Sequence, residues 1–213
     1  MIEQLYFVKY KSGEKGCPIY IGGKHLKDGE WTGDHEWDYY NPDPFQSEVK
    51  SEYTLKMNES FIDLDYSKDF VSEKFLELLD ELKIKYRSIR LEIILRANKN
   101  PEKKYYILLL VGRVFLLDEG KSKYQIARNL NTQEIIYSKV DSSAPVYSLI
   151  DEFYIKDIVT PHFFIAEEMG AVICTANFRN LAKDKNIRGI DFEKVEDGFK
   201  YDPWDTPSGI FKI

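Results

Sequence analysis

The sequence predicts an α+β fold built on a mixed or mainly antiparallel sheet with few helices, and three observations lead there. Apolar residues alternate with period two in segments such as Ile89, Leu91, Ile93 and Leu95, the pattern of a half-buried strand. Helical periodicity is clear in two segments, each preceded by a hydroxyl residue, Ser72 or Thr175. Those segments form an internal pseudo-repeat of strand-helix-strand units, FVSEKFLELLDELKIKYRSIRLEII from Phe70 and VICTANFRNLAKDKNIRGIDFEKV from Val172. Aligning Ser72 with Thr175 also aligns Phe75 with Phe178, Leu78 with Leu181 and Ile84 with Ile187, at one constant offset.

Taken in order, Gln4 to Lys11 reads as a strand that enters a turn-rich stretch with Gly13, Gly16, Pro18, Gly22 and Gly23, where two short strands are expected. Asp28 to Asp43, DGEWTGDHEWDYYNPD, loses regular periodicity and is expected as a loop. Phe75, Leu78, Leu79, Leu82 and Tyr86 follow helical spacing behind the N-cap Ser72, and Glu73 suits the positive end of the helix dipole. Arg90, Glu92 and Arg96 take the outer face of the strand that follows. Asn98 to Lys103 is a turn, and Tyr105 to Asp118 reads as one buried strand with a bend or bulge at Gly112-Arg113. Asp118 to Tyr124 is a polar break, and Ile126 to Tyr137 fits short strands or a short helix equally. His162 to Ile165 is a short strand, and the second unit begins at Gly170. Its helix turns Phe178, Leu181 and Ala182 inward and closes on Lys183, Lys185 and Asn186, with Gly189 before the strand Ile190 to Val195. Three regions result: an N-terminal strand and loop region, 1–60, packed on the rest; an α+β core, 61–195; and an extended C-terminal tail, 196–213.

Composition narrows the function. With 213 residues and 43% hydrophobic content the chain can fill a core. Its longest apolar run, Tyr105 to Gly112, falls far short of the roughly 20 residues that cross a bilayer, and no basic-then-apolar signal opens the chain, so no membrane association is expected and the cytosol is. A net charge of −6 disfavours nucleic acid as a partner, because phosphate affinity comes from Lys and Arg. Cys17 and Cys174 are expected as free thiols.

Several chemistries can be weighed against plainer readings. GEKGCPIYIGGK misses the phosphate-loop spacing, with six residues where that motif has four, and is an ordinary turn region. His25, His35 and His162 have no companions at metal-ligand spacing, so neither a metal nor a cofactor is expected. Cys174 precedes a helix N-terminus downstream of His162, which permits a Cys-His hydrolase, but its alignment with the apolar Val71 favours a buried structural thiol. A small-ligand binding module is the third class, and it would need a deep apolar pocket with a few convergent polar groups. Asp28 to Asp43 stands apart, with six acids, no Lys or Arg, and four aromatics. Trp31, Trp37, Tyr39 and Tyr40 have the character of interface anchors, and Asp34, Glu36 and Asp38 that of charges that steer a basic partner; the plainer reading is a solvated loop with its aromatics folded back on the core. The segment around Tyr201, Asp202, Trp204 and Asp205 is the next candidate.

YYILLLVGRVFLLDEGKS and TPHFFIAEEMGAVICTANFRNLAKDKNIRGIDFEKV together resemble family eleven of the immunity proteins of bacterial polymorphic toxin systems. The resemblance runs from about Asp65 to Val195 and rests on Tyr105, Tyr106, Leu117, Asp118 and Ser122, on the aromatic pair Phe163 and Phe164, and on Gly189 and Phe192. Cys174-Thr175 stands where such proteins often show Val-Ser. The resemblance implies a cytosolic protein that inhibits a cognate toxin by occluding it, and it carries over no catalytic residues. An acidic chain suits a basic toxin.

Overall fold

The structure, a computed structural model, describes residues 3–33, 44–45, 50–139 and 141–202. Within them the chain forms β1 (Leu5–Tyr10), β2 (Gly23–Lys27), β3 (Glu30–Thr32), β4 (Glu52–Met57), β5 (Val71–Ser72), α1 (Glu73–Glu81), β6 (Tyr86–Ile94), β7 (Tyr105–Leu110), β8 (Arg113–Val114), β9 (Lys123–Ile126), β10 (Tyr147–Phe153), β11 (Phe163–Ala166), β12 (Ala171–Thr175), α2 (Ala176–Asp184), β13 (Ile190–Lys194) and β14 (Phe199–Tyr201). The described strands make three sheets, ordered β3-β2-β4-β6-β7-β5, β13-β1-β12-β11-β8 and β14-β10-β9. β4–β6 and β8–β11 pair in parallel and the other pairings are antiparallel, which is the α+β class with few helices.

The two strand-helix-strand units share a layout. In the first, β5 and β6 flank β7 and both run antiparallel to it; in the second, β12 and β13 flank β1 in the same way. The helix of each unit therefore connects two strands that leave a slot for one more. Ser72 and Thr175 are the N-caps, and their hydroxyls accept from the amides of Phe75 and Phe178. Both helices end in the same motif. Lys83 and Asn186 adopt φ of 53° and 50°, their amides bond Asp80 O and Lys183 O, and the next amides, of Ile84 and Ile187, reach back to Leu79 O and Ala182 O. This is the Schellman pattern, in which the residue after the left-handed one makes an apolar contact back to the helix. The isoleucine shared by the two segments thus has a local physical cause. The helical spacing was expected to reach Tyr86, but the motif stops the helix at Glu81 and Tyr86 opens β6.

Three apolar cores stack between the layers. Ile89, Leu91, Ile93, Tyr105, Ile107 and Leu109 face a cover made by Cys17, Ile62, Leu64 and Phe70. On the far side of β7, Tyr106, Leu108 and Leu110 meet the helices, which also contact Val8, Cys174 and Ile190 of the five-stranded sheet. The opposite face of that sheet, with Leu5, Ile173 and Phe164, packs on Ile150 and Phe153 of the three-stranded sheet. β12 is buried on both faces, so its sequence AVICT has no polar alternation. The two units meet at an aromatic cluster: Phe163 stacks on Phe178 with centroids 4.6 Å apart, and Phe75 lies 6.1 Å from Phe178.

Polar contacts join the units beside that cluster. Asp65 is fully buried; one carboxylate oxygen takes bonds from Ser72 Oγ and Lys103 Nζ, both at 2.8 Å, and the other from the Arg188 amide at 2.9 Å. Burial alone would raise its pKa, but Lys103, the Arg188 amide and the Ser72 hydroxyl together bring it below the ordinary carboxylate value. The same carboxylate therefore ties the cap of α1 to the turn that follows α2.

The expected single strand from Tyr105 to Asp118 is two strands in different sheets. After β7 the chain passes Gly112, whose carbonyl accepts from Ile165 N at 2.9 Å, and β8 joins β11 in the five-stranded sheet. Period-two alternation cannot distinguish a bulge from a crossing when both runs are apolar in sequence. Ile126 to Tyr137 holds the end of β9 and bridge pairings of Arg128 with Ile135 and of Tyr137 with Pro145, so the strand alternative applies. Phe199 to Tyr201, within the expected tail, pairs with β10 as β14.

Candidate interaction surface

Of the aromatic and acidic residues singled out between Asp28 and Asp43, Trp31 lies on β3; Asp34, Glu36, Trp37, Asp38, Tyr39 and Tyr40 fall outside the described residues. Of the second candidate segment, Tyr201 is on β14 and Asp202 is described, whereas Trp204 and Asp205 are not. The start of the acidic stretch, expected as a loop, is instead the turn and second strand of a hairpin. Lys27 pairs with Glu30, and the two residues between them, Asp28 and Gly29, have φ of 50° and 86°. Positive φ at both positions is the type I′ turn, whose twist matches that of the strands, and Asp-Gly is among its preferred sequences. The pair was a readable hairpin signal, masked by the flanking Lys24, His25 and Lys27, which lack apolar alternation.

The hairpin sets what surrounds Trp31. Trp31 pairs with Leu26, Lys24 with Lys56, Lys56 with Ile94 and Thr54 with Glu92, which places all of these on one face of the six-stranded sheet. The opposite face carries the buried Tyr53, Leu55, Leu91 and Ile93. Trp31 and Leu26 are each 39% exposed, and Lys56 Nζ lies 5.6 Å from the Trp31 ring centroid, a cation–π contact. A tryptophan from a stretch without Lys or Arg thus has a lysine for a neighbour, brought by β4 from 25 residues downstream.

Beneath the same hairpin a cleft of about 180 Å³ is lined by Tyr20, His25, Leu55, Asp69, Phe70 and Leu91, among others. That is below the roughly 300–1,000 Å³ of small-molecule sites. Among the described residues, no group of three or more His, Cys, Asp or Glu converges as metal ligands would, and no helix is long and apolar enough to cross a membrane.

The arrangement at Cys174 is unlike that of a hydrolase. The thiol is fully buried between helix and sheet, and burial pushes its pKa up, away from the thiolate a nucleophile needs. His162 turns to other partners: Nδ1 lies 2.9 Å from Thr175 Oγ1 and Nε2 3.4 Å from Asn177 Nδ2. Cys174 occupies the register position that Val71 holds in the first unit, opposite Tyr6 of β1 as Val71 is opposite Tyr106 of β7. Cys17 is also a free, buried thiol.

No curated protein matches the chain. A family model does match, that of the immunity protein family Imm11, over residues 23–197. The matched span starts at the first residue of β2 and ends beyond β13; β1 precedes it. It also extends well upstream of Asp65, where the resemblance carried by the sequence motifs begins. Covering more than half of the 213 residues, the match shows that the chain belongs to the Imm11 immunity protein family.

Proposed function

We propose that this protein neutralises a cognate toxin of a bacterial polymorphic toxin system by binding and occluding it in the cytosol, without turnover. Family membership is the observation that carries this reading. The inaccessible thiol of Cys174 and the small cleft under the β2–β3 hairpin agree with it, since neither supplies a nucleophile nor holds a metabolite-sized ligand. A net charge of −6 suits a toxin with a basic surface, whose approach it would accelerate at low ionic strength.

The test is stoichiometric. Co-expression with the cognate toxin should restore growth, and purified protein titrated into purified toxin should abolish its activity at one equivalent. Toxin that stays active in the presence of excess, folded protein overturns the reading. Protection at a small fraction of an equivalent would point to catalytic inactivation instead.

A further inference from the structure

The geometry points to the open face of the six-stranded sheet as the surface that meets the toxin, with an acidic side chain of the toxin seated between Lys24 and Lys56 and an apolar one on Trp31 and Leu26. This rests on the immunity reading and specifies the contact within it.

Among the described residues, the helices cover this face toward β7 and β5, where Tyr106, Leu108 and Leu110 pack against them. Over β3, β2, β4 and β6, the residues projecting to this side include the exposed Lys24, Leu26, Trp31, Glu52, Lys56 and Glu92. Folding does not account for two features. Lys24 and Lys56 are direct cross-strand partners, and like charges placed so are mutually destabilising. Neither lysine forms an ion pair among the described residues, although Glu52 and Glu92 lie on the same face. Further, Arg90 stacks over Tyr106 at 5.5 Å with Nη1 buried and no hydrogen-bond partner. Among the described residues of this face, three cations stand to two carboxylates, in a chain whose net charge is −6.

An acidic group relieves the first of these, since a carboxylate between Lys24 and Lys56 turns their repulsion into two charge-assisted contacts. Trp31 and Leu26, beside the lysines, supply the apolar area that a desolvated contact needs. The negative net charge and the positive face have separate roles: the first attracts a basic toxin from a distance, and the second selects the part of its surface that docks.

The test compares charge reversals of opposite sign in the full-length chain, each checked for an unchanged melting temperature. The K24E/K56E double variant should bind the toxin at least 100-fold more weakly, and W31A at least 10-fold. The E52K/E92K double variant, on the same face, should bind as well as wild type or better. K24E/K56E within twofold of wild type, or equal losses from both double variants, would overturn the proposal. Wild-type protein would still neutralise the toxin in either case, whereas a wild type that fails to neutralise it sinks the immunity reading itself.

Discussion

The two strand-helix-strand units differ in how each obtains its middle strand and in what anchors its helix cap. In the first unit β7 follows β6 after ten residues, so the slot between β5 and β6 is filled by nearby chain. In the second, β1 comes from the opposite end of the sequence to lie between β12 and β13. The cap Ser72 is held by the buried Asp65, whereas the cap Thr175 contacts His162, whose side chain is 36% exposed. Local chemistry specifies each helix and its two ends in the same way, and longer-range contacts decide how much stability each end carries.

The largest expected effect breaks the units apart at Asp65. Asp65→Asn removes the buried charge that Ser72, Lys103 and the Arg188 amide hold, leaving Lys103 paired with Asp63 alone, and should cost about 1.5–3 kcal/mol, the range for hydrogen bonds to a charged group. His162→Asn, at the partly exposed cap of the second unit, should cost less than about 1 kcal/mol. Chemical denaturation of both variants measures the difference, and equal losses would remove the distinction between the caps. The pH dependence has a defined sign. Because the folded-state pKa of Asp65 is depressed, the stability it lends is complete above the ordinary carboxylate pKa and disappears as pH falls through the lower, folded value. Glu168 works in the opposite sense, since burial raises its pKa and its ionisation disfavours the folded state as pH rises. Subtracting the Asp65→Asn profile from that of wild type cancels the Glu168 share and should leave an acid limb due to Asp65.

A smaller effect sharpens the comparison at the loop after each helix. Pairing to the middle strand shows that the second loop is one residue longer, because Ile190 opposite Tyr10 corresponds to Tyr86 opposite Leu110. The extra residue falls in the Arg188-Gly189 stretch. Gly189 has φ of 79°, and a Cβ there would sit 2.6 Å from the Tyr66 carbonyl oxygen. Gly189→Ala should therefore cost about 1–3 kcal/mol, through left-handed strain and a displaced backbone. Lys85→Ala, in the shorter loop, should stay within about 0.5 kcal/mol. A mild Gly189→Ala would mean that the Tyr66 backbone yields, and thermal melts of the pair decide it.

These elements also show what could be read in the sequence. The helices, their caps, the alternation of β6 and the likeness of the two units rest on signals within a few residues of each other, so they were legible. The role of β1 was not, because LYFVKY reads as a strand but nothing local names its neighbours. The crossing at Gly112 was hidden because the runs on both sides of the glycine are apolar. At the proposed surface Trp31 stood out by composition, and the Asp28-Gly29 turn carried its own signal. The Lys24–Lys56 pairing could not be read, because it exists only in the sheet register. Composition along the chain suggested an acidic site, and folding set a positive face beside its only described tryptophan.

The smallest expected effect concerns Lys83 and Asn186, the left-handed residues that end the two helices. Both sites need positive φ, which costs a residue with a Cβ about 1 kcal/mol and glycine almost nothing. Asparagine bears that conformation more easily than lysine, because its short polar side chain can hydrogen-bond locally. Lys83→Gly should consequently stabilise the protein by about 0.5–1 kcal/mol, less the entropy glycine adds to the unfolded chain, and Asn186→Gly should give a smaller gain. Lys74 Nζ bonds the Asn186 carbonyl at 2.9 Å, a main-chain contact that the glycine substitution leaves in place. The comparison thus isolates the backbone term, with denaturation midpoints at constant slope as the measurement. A larger gain at Asn186 than at Lys83 would show that the two helix ends, alike in hydrogen bonding, are not equally strained.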